Sequence, residues 1–193
     1  MNRDIKRNII EVTIRLIQEG DARPEKITVR DICGAAGVGI SQINYHFQTK
    51  DNLIAQCIQV MIGDLIGAFS KILSSVSGAT AIDTLKRMML RTLNYLYSNE
   101  NISRISILSD HQDARQGDNT DQTVDVYLPL VEAVCRERNM SEDPRKMTIL
   151  TILTLQGIFL RTDVIRASLG IDMRNEAERA KFIDEYLERT FHE

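Results

Sequence analysis

A chain of 193 residues, 43% hydrophobic and 26% charged, has the material for a sizeable core, while three Pro, ten Gly and no Trp leave little for an all-β fold. The net charge of −3 excludes a strongly basic protein but is unevenly spread: residues 1–50 hold 8 Lys+Arg against 6 Asp+Glu, and the remainder 16 against 21. Cys33, Cys57 and Cys135 are far apart and odd in number, which points to reduced thiols and away from a disulfide framework or zinc knuckle. With no apolar leader and no uninterrupted apolar run of about eighteen residues, the chain is expected to be cytoplasmic, with no membrane segment.

The expected fold is all-α with about nine helices. Ile5, Ile9, Val12 and Leu16 recur with helical period from Arg3 to Glu19, and Gly20 ends that helix. Residues 21–26, with Pro24, read as a loop, and helix restarts at Thr28. From Thr49 a long apolar run through Leu53, Cys57, Met61, Leu65 and Phe69 to Leu73 predicts one helix reaching Ser77-Gly78. Ile82, Leu85, Met89, Leu93 and Leu96 mark the next helix, and Ile102, Ile105 and Leu108 a shorter one. Ser109 to Asp121 reads as a surface loop. Val126, Leu130 and Val134 form a further stripe holding Pro129, which either begins the helix or kinks it, the kink being preferred. Ser141-Glu142-Asp143-Pro144 opens an apolar helix running to about Ser168, and Asp172 is expected to cap the last helix. On that helix Phe182, Ile183, Tyr186, Leu187 and Phe191 share one face, with Glu176, Glu178, Arg179, Glu185 and Glu188 on the other.

The segment from Thr28 to Phe47 carries the functional signal. Thr28 and Asp31 form a capping box, and Val29, Ile32, Cys33 and Ala36 make the inner face of a short helix. Gly37 can end that helix left-handed, Val38 buries in the turn, and Ile43 and Phe47 turn inward on the next helix. Ser41, Gln42, Asn44, Tyr45 and His46 are then left outward, which is the short, polar, hydrogen-bonding set that a helix in the DNA major groove needs. Lys50, just beyond, is placed to meet a phosphate.

Through T-V-R-D-I-C-G-A-A-G-V-G-I-S-Q-I-N-Y-H-F followed by Gln48-Thr49-Lys50-Asp51-Asn52-Leu53, the sequence resembles the tetracycline-repressor (TetR) family of bacterial regulators over roughly residues 5–65. The resemblance implies a homodimer on double-stranded palindromic operator DNA, with a helix-turn-helix domain over 1–50 (motif 28–47) and an effector-binding and dimerisation domain over 51–193 that closes a dimer through its last two helices. It further implies backbone contact from Thr28, backbone or base contact from Arg30, base-edge contact from Gly39, Ile40, Ser41 and Gln42, and phosphate contact from Tyr45, His46 and Lys50. Asn44 and Ile40 depart from the family pattern, where an aromatic and a polar residue are usual.

Outside the motif, Met61, Met89, Tyr95, Tyr127 and Phe159 are candidates to line a pocket for an unknown small-molecule effector, with ordinary core packing as the competing reading. Arg104 and Arg161 fall in apolar stretches, where each either faces solvent or meets an anionic ligand. Phe182, Tyr186 and Phe191 near the chain end, with Gly157 on the preceding helix, are the candidate dimer contacts. His111 with Asp110, Asp113, Asp118 and Asp121 lacks the spacing of a metal site, so no metal and no cofactor are expected. The lack of a nucleophile elbow or phosphate loop argues against an enzyme. The alternative to a regulator is a lipid-, small-molecule- or protein-binding module on the same scaffold without operator binding.

Overall fold

The computed structural model describes residues 2–19, 26–75 and 78–192, and within these the side chains of all but residues 2, 3, 65, 66 and 68–75. Gly20, the loop over residues 21–25, Ser77 and the side chains of Leu65, Phe69 and Leu73 therefore lie outside the described residues. Ten helices and no strand occur among the described residues: α1 (Asn2–Glu19), α2 (Val29–Ala36), α3 (Ile40–Phe47), α4 (Lys50–Ser75), α5 (Ala81–Ser98), α6 (Glu100–Gln112), α7 (Asn119–Glu137), α8 (Pro144–Leu160), α9 (Thr162–Leu169) and α10 (Glu176–Thr190). The all-α expectation holds.

The chain divides into two compact units, Met1–Gly63 with Asn99–Ser106, and Asp64–Ser98 with Ile107–Glu193. The division falls inside α4 and again inside α6. In the first unit α1 packs on α2 and α2 on α3, around Ile9, Ile32, Ile43, Phe47, Leu53 and Cys57. The core of the second unit gathers Leu85, Met88, Met89 and Leu93 of α5 with Tyr127, Val131 and Val134 of α7, Leu155 of α8, and Ile183 and Leu187 of α10. α5 packs against α7, α8 and α10, so it is the spine of this unit.

Several boundaries differ from the sequence reading, each for a local reason. The apolar helix from Pro144 breaks at Arg161, and α8 and α9 meet at 84°. There the buried Thr162 hydroxyl donates to the Phe159 carbonyl at 2.8 Å, competing with the helical ladder, and Arg161 leaves helical geometry at φ −111°, ψ 22°. This split accounts for the tenth helix. The predicted loop over 109–121 shrinks because α6 continues to Gln112 and Asp118 caps α7, accepting from Asp121 N at 2.9 Å. Pro129 lies inside α7, well past its start, on the exposed side where water can meet the carbonyl its ring leaves unpaired. Leu108, expected on the inner stripe of α6, is exposed, and Ile107 is buried instead.

Asp143 caps α8 with Pro144 in the first turn, as the sequence predicts. Asp172 does not cap the last helix. Its carboxylate accepts from Arg174 N at 3.0 Å and faces Arg166 at 3.5 Å, which leaves the cap to Asn175, whose side chain accepts from Ala177 N and Glu178 N.

Candidate nucleic-acid interface

The helix-turn-helix is built by local chemistry that the sequence announces. Thr28 caps α2: its N–H and hydroxyl donate to the Asp31 carboxylate at 2.8 and 2.7 Å, and its hydroxyl oxygen accepts from Asp31 N at 3.2 Å. These bonds hold the Asp31 carboxyl below its ordinary pKa. Gly37 ends α2 at φ 66°, a conformation that an L side chain resists, and Val38 N bonds back to the Cys33 carbonyl at 3.1 Å. The side chain of Asn8 on α1 donates to the Ala36 carbonyl at 3.0 Å, fixing the end of α2 against α1.

α3 starts at Gly39, which caps without a side-chain bond, so the first turn of the helix is uncluttered. Ile43 and Phe47 are 1% and 2% exposed, which orients the helix and turns Ile40, Ser41, Asn44 and Tyr45 outward. Tyr45 is 70% exposed and Ile40 48%. An aromatic and a β-branched side chain this open to water are unused by the fold. Gln42 is half-buried at the edge of the same face. Among the eight residues of α3 there is no Asp, Glu, Lys or Arg.

The turn leaving α3 is tight. Gln48 has φ 65°, ψ −48°, and Thr49 N donates to the Phe47 carbonyl at 2.7 Å, a γ-turn closed around a non-glycine residue. Thr49 then caps α4 by accepting from Asn52 N at 3.1 Å, and Lys50, half-buried, is the first residue of that helix. Arg30, exposed on α2, is a second cation of the motif.

His46, expected to meet a phosphate, is half-buried. Its Nε2 is buried without a hydrogen-bond partner, and its ring packs edge-on to Tyr45 at 5.0 Å and tilted against Phe47 at 6.0 Å. In this arrangement it supports Tyr45 and does not present Nε2 outward. Thr28, likewise, spends its hydroxyl on the α2 cap.

Residues 9–57 match the model of the bacterial regulatory proteins, tetR family. The matched stretch runs from α1 through α2 and α3 into α4. Over nearly its whole length the chain is similar in fold to solved structures. One, described as a transcriptional regulator from Pseudomonas aeruginosa PAO1, is 18% identical with TM-score 0.68, covering 97% of this chain and 93% of that one. Another, described as a TetR-family transcriptional regulator from Rhodococcus sp., is 16% identical with TM-score 0.64, covering 95% and 98%. A third, NalD, described as the secondary repressor of the MexAB-OprM multidrug efflux pump in Pseudomonas aeruginosa, is 20% identical with TM-score 0.60, covering 98% and 96%. No curated protein matches the chain in sequence. The tetR match spans α2 and α3, the helices that build this outward face.

The residues expected to line an effector pocket are distributed over both units. Met61 and Arg104 belong to the first unit, and Arg104 faces Glu100 one turn earlier at 3.6 Å. In the second unit Met89, Tyr127 and Phe159 are fully buried core, and the Tyr127 hydroxyl lies 2.5 Å from Thr92 Oγ1, with burial raising its pKa. Tyr95 is half-buried, its pKa raised by burial and by Asp64, and Arg161 is exposed at the bend between α8 and α9. A groove of about 720 Å³ opens where α7 gives way to α8, lined by Cys135, Arg136, Asn139, Met140 and Glu142 among others.

Two features escaped the sequence reading. Arg179, assigned there to the outer face of the last helix, is 6% exposed. Its guanidinium donates to Asn94 Oδ1 at 3.1 and 2.8 Å and to the carbonyls of Met173 and Arg174, and lies 5.0 Å from the Tyr97 ring centre. Asp110, read as part of a solvated loop, is 9% exposed and ties the end of α6 to the start of α7 through Thr120 N and Oγ1, both at 2.9 Å, and Asn119 Nδ2. Desolvation raises its pKa against the pull of these donors. No group of side chains among the described residues has the makings of a metal site. Phe191 is fully buried in its own chain and is therefore core, withdrawn from the expected dimer contacts; Phe182 and Tyr186 are half-buried against that core, and the Tyr186 hydroxyl lies 3.1 Å from Thr151 Oγ1.

Proposed function

We propose that the protein is a homodimeric repressor that sets two copies of α3 into successive major grooves of a palindromic operator, and that a small-molecule effector taken up by the second unit releases it. The observation that carries this reading is the outward face of α3, apolar and polar but uncharged, within a segment matched to the tetR family. Base edges are met by Gly39, Ile40, Ser41, Gln42 and Asn44, and phosphates by Arg30, Tyr45 and Lys50. Thr28 and His46 act by holding α2 and Tyr45 in place.

The dimer is supported by a face of α8 that includes Gly157, one of the contacts expected from sequence. Ile149, Leu150 and Leu153 on α8 are 39%, 48% and 43% exposed, and Gly157 continues their stripe with open space beyond it. Such an apolar helix face, with a small residue permitting close approach, suits an isologous contact with a second copy. α4 and α6 both cross the division between the units, so they are covalent routes by which an effector would bias the spacing of the two reading heads.

Selection of genomic fragments by the full-length protein tests the DNA reading. A specific complex whose affinity falls steeply with salt is expected, and none at any salt concentration would refute it. Light scattering tests the dimer separately. Twice the chain mass is expected, reduced by Leu150→Glu; a monomeric wild type would contradict it.

A further inference from the structure

We infer that α3 reads A·T pairs, and that Ile40 does so through the C5-methyl group of a thymine in each half-site. This rests on the DNA-binding reading above and specifies what that face recognises.

The argument starts from what the helix lacks. In the major groove guanine is read chiefly by Arg or Lys on O6 and N7, and cytosine by a carboxylate accepting from N4. α3 carries none of these four residue types. Its one imidazole has Nε2 buried and unpartnered, so that nitrogen is not offered to a guanine.

What α3 does offer is matched to the other pair. Gln42 and Asn44 carry the amide that can bond adenine N6 and N7 together. Ile40 presents 48% of its surface at the first helical position, where the preceding Gly39 adds no side chain between helix and ligand. A hydrocarbon side chain exposed there makes no hydrogen bond to any base. The one apolar group on the major-groove edge of DNA is the thymine methyl. Ile40 continues the stripe of Ile43 and Phe47, but at the first turn of the helix it lies beyond the core that those two close, and about half of it is left to water. The purpose consistent with its placement is burial against that methyl.

The test begins with selection of duplexes from a random pool by the full-length protein. Enriched half-sites with A·T pairs at their most constrained positions are expected. Each thymine of the enriched half-site is then replaced singly by deoxyuridine, which removes the methyl group and leaves every hydrogen-bonding atom in place. At one position per half-site, affinity of the unaltered protein should fall about fourfold, the worth of burying one methyl-sized group. Ile40→Ser, at an exposed position that the core does not need, should bind the thymine and uracil duplexes equally. Uracil duplexes bound as tightly as thymine ones at every position would overturn the inference, as would an Ile40→Ser protein that keeps the discrimination, or enriched sites constrained to G·C. In all three cases the pool has still been enriched, so the DNA-binding reading stands. A pool with no enriched sequence would overturn both.

Discussion

The two units spend their distinctive residues in opposite ways. In the first, two inward anchors on α3, Ile43 and Phe47, satisfy the core and leave Ile40, Ser41, Asn44 and Tyr45 to solvent. In the second, the residues most suggestive of a binding cavity, Met89, Tyr127 and Phe159, are fully buried, and even the cation Arg179 is drawn inside. The lesson is that a binding face is recognised by what the fold leaves unused. Aromatic and Met side chains on a helix stripe are by default what the fold consumes.

The contrast can be broken by substitution, beginning where the largest effect is expected. Phe159→Ala should destabilise the second unit by about 3–5 kcal/mol in denaturant unfolding, because the side chain is fully enclosed. A cost below about 1 kcal/mol would return Phe159 to the ranks of cavity-lining residues. Arg179→Met should cost about 2–3 kcal/mol, since it strands Asn94 Oδ1 and the carbonyls of Met173 and Arg174. A neutral outcome would return Arg179 to the outer face.

Smaller effects belong to the reading head. Thr28→Ala should cost about 1 kcal/mol by removing the cap of α2. The same cap should weaken in acid. The Asp31 carboxyl is held below its ordinary pKa in the folded chain, so its contribution is present above the unfolded-state pKa and is lost as pH falls through the folded value. Unfolding followed by circular dichroism from neutral pH into acid should show the difference between wild type and Thr28→Ala closing as Asp31 protonates. Smallest is Gln48→Gly, which relieves the positive φ of the γ-turn but frees the unfolded chain, and should stabilise the protein by about 0.5 kcal/mol. Destabilisation there would mean that the Gln48 side chain holds the turn.

The difference between the units also governs how much was legible in the sequence. The cap at Thr28, the glycine at Gly37 and the spacing of Ile43 and Phe47 are local, so three or four residues specify each and the motif follows. Arg179 could not be placed this way, because its partners Asn94 and Tyr97 lie on another helix and periodicity set it among glutamates. The end of α8 was hidden for a similar reason. Nothing in its apolar run signals a stop, and the bend falls at Arg161, beside the buried hydroxyl of Thr162, which bonds both the Phe159 carbonyl and the Tyr97 hydroxyl of another helix. Phe191, expected at a dimer contact, is enclosed by a core drawn from α5, α7, α8 and α10, helices that its own neighbours in sequence do not announce. The unpartnered Nε2 of His46 required coordinates altogether.

Photo-cross-linking to a selected duplex carrying 4-thiothymidine tests the central claim most directly, because it reports which part of the chain lies against the bases. Cross-linked peptides should map to residues 39–47, with Ile40 and Gln42 among the modified residues and the yield falling as salt is raised. Cross-links confined to residues beyond Gly63 would contradict the assignment of α3 as the reading helix.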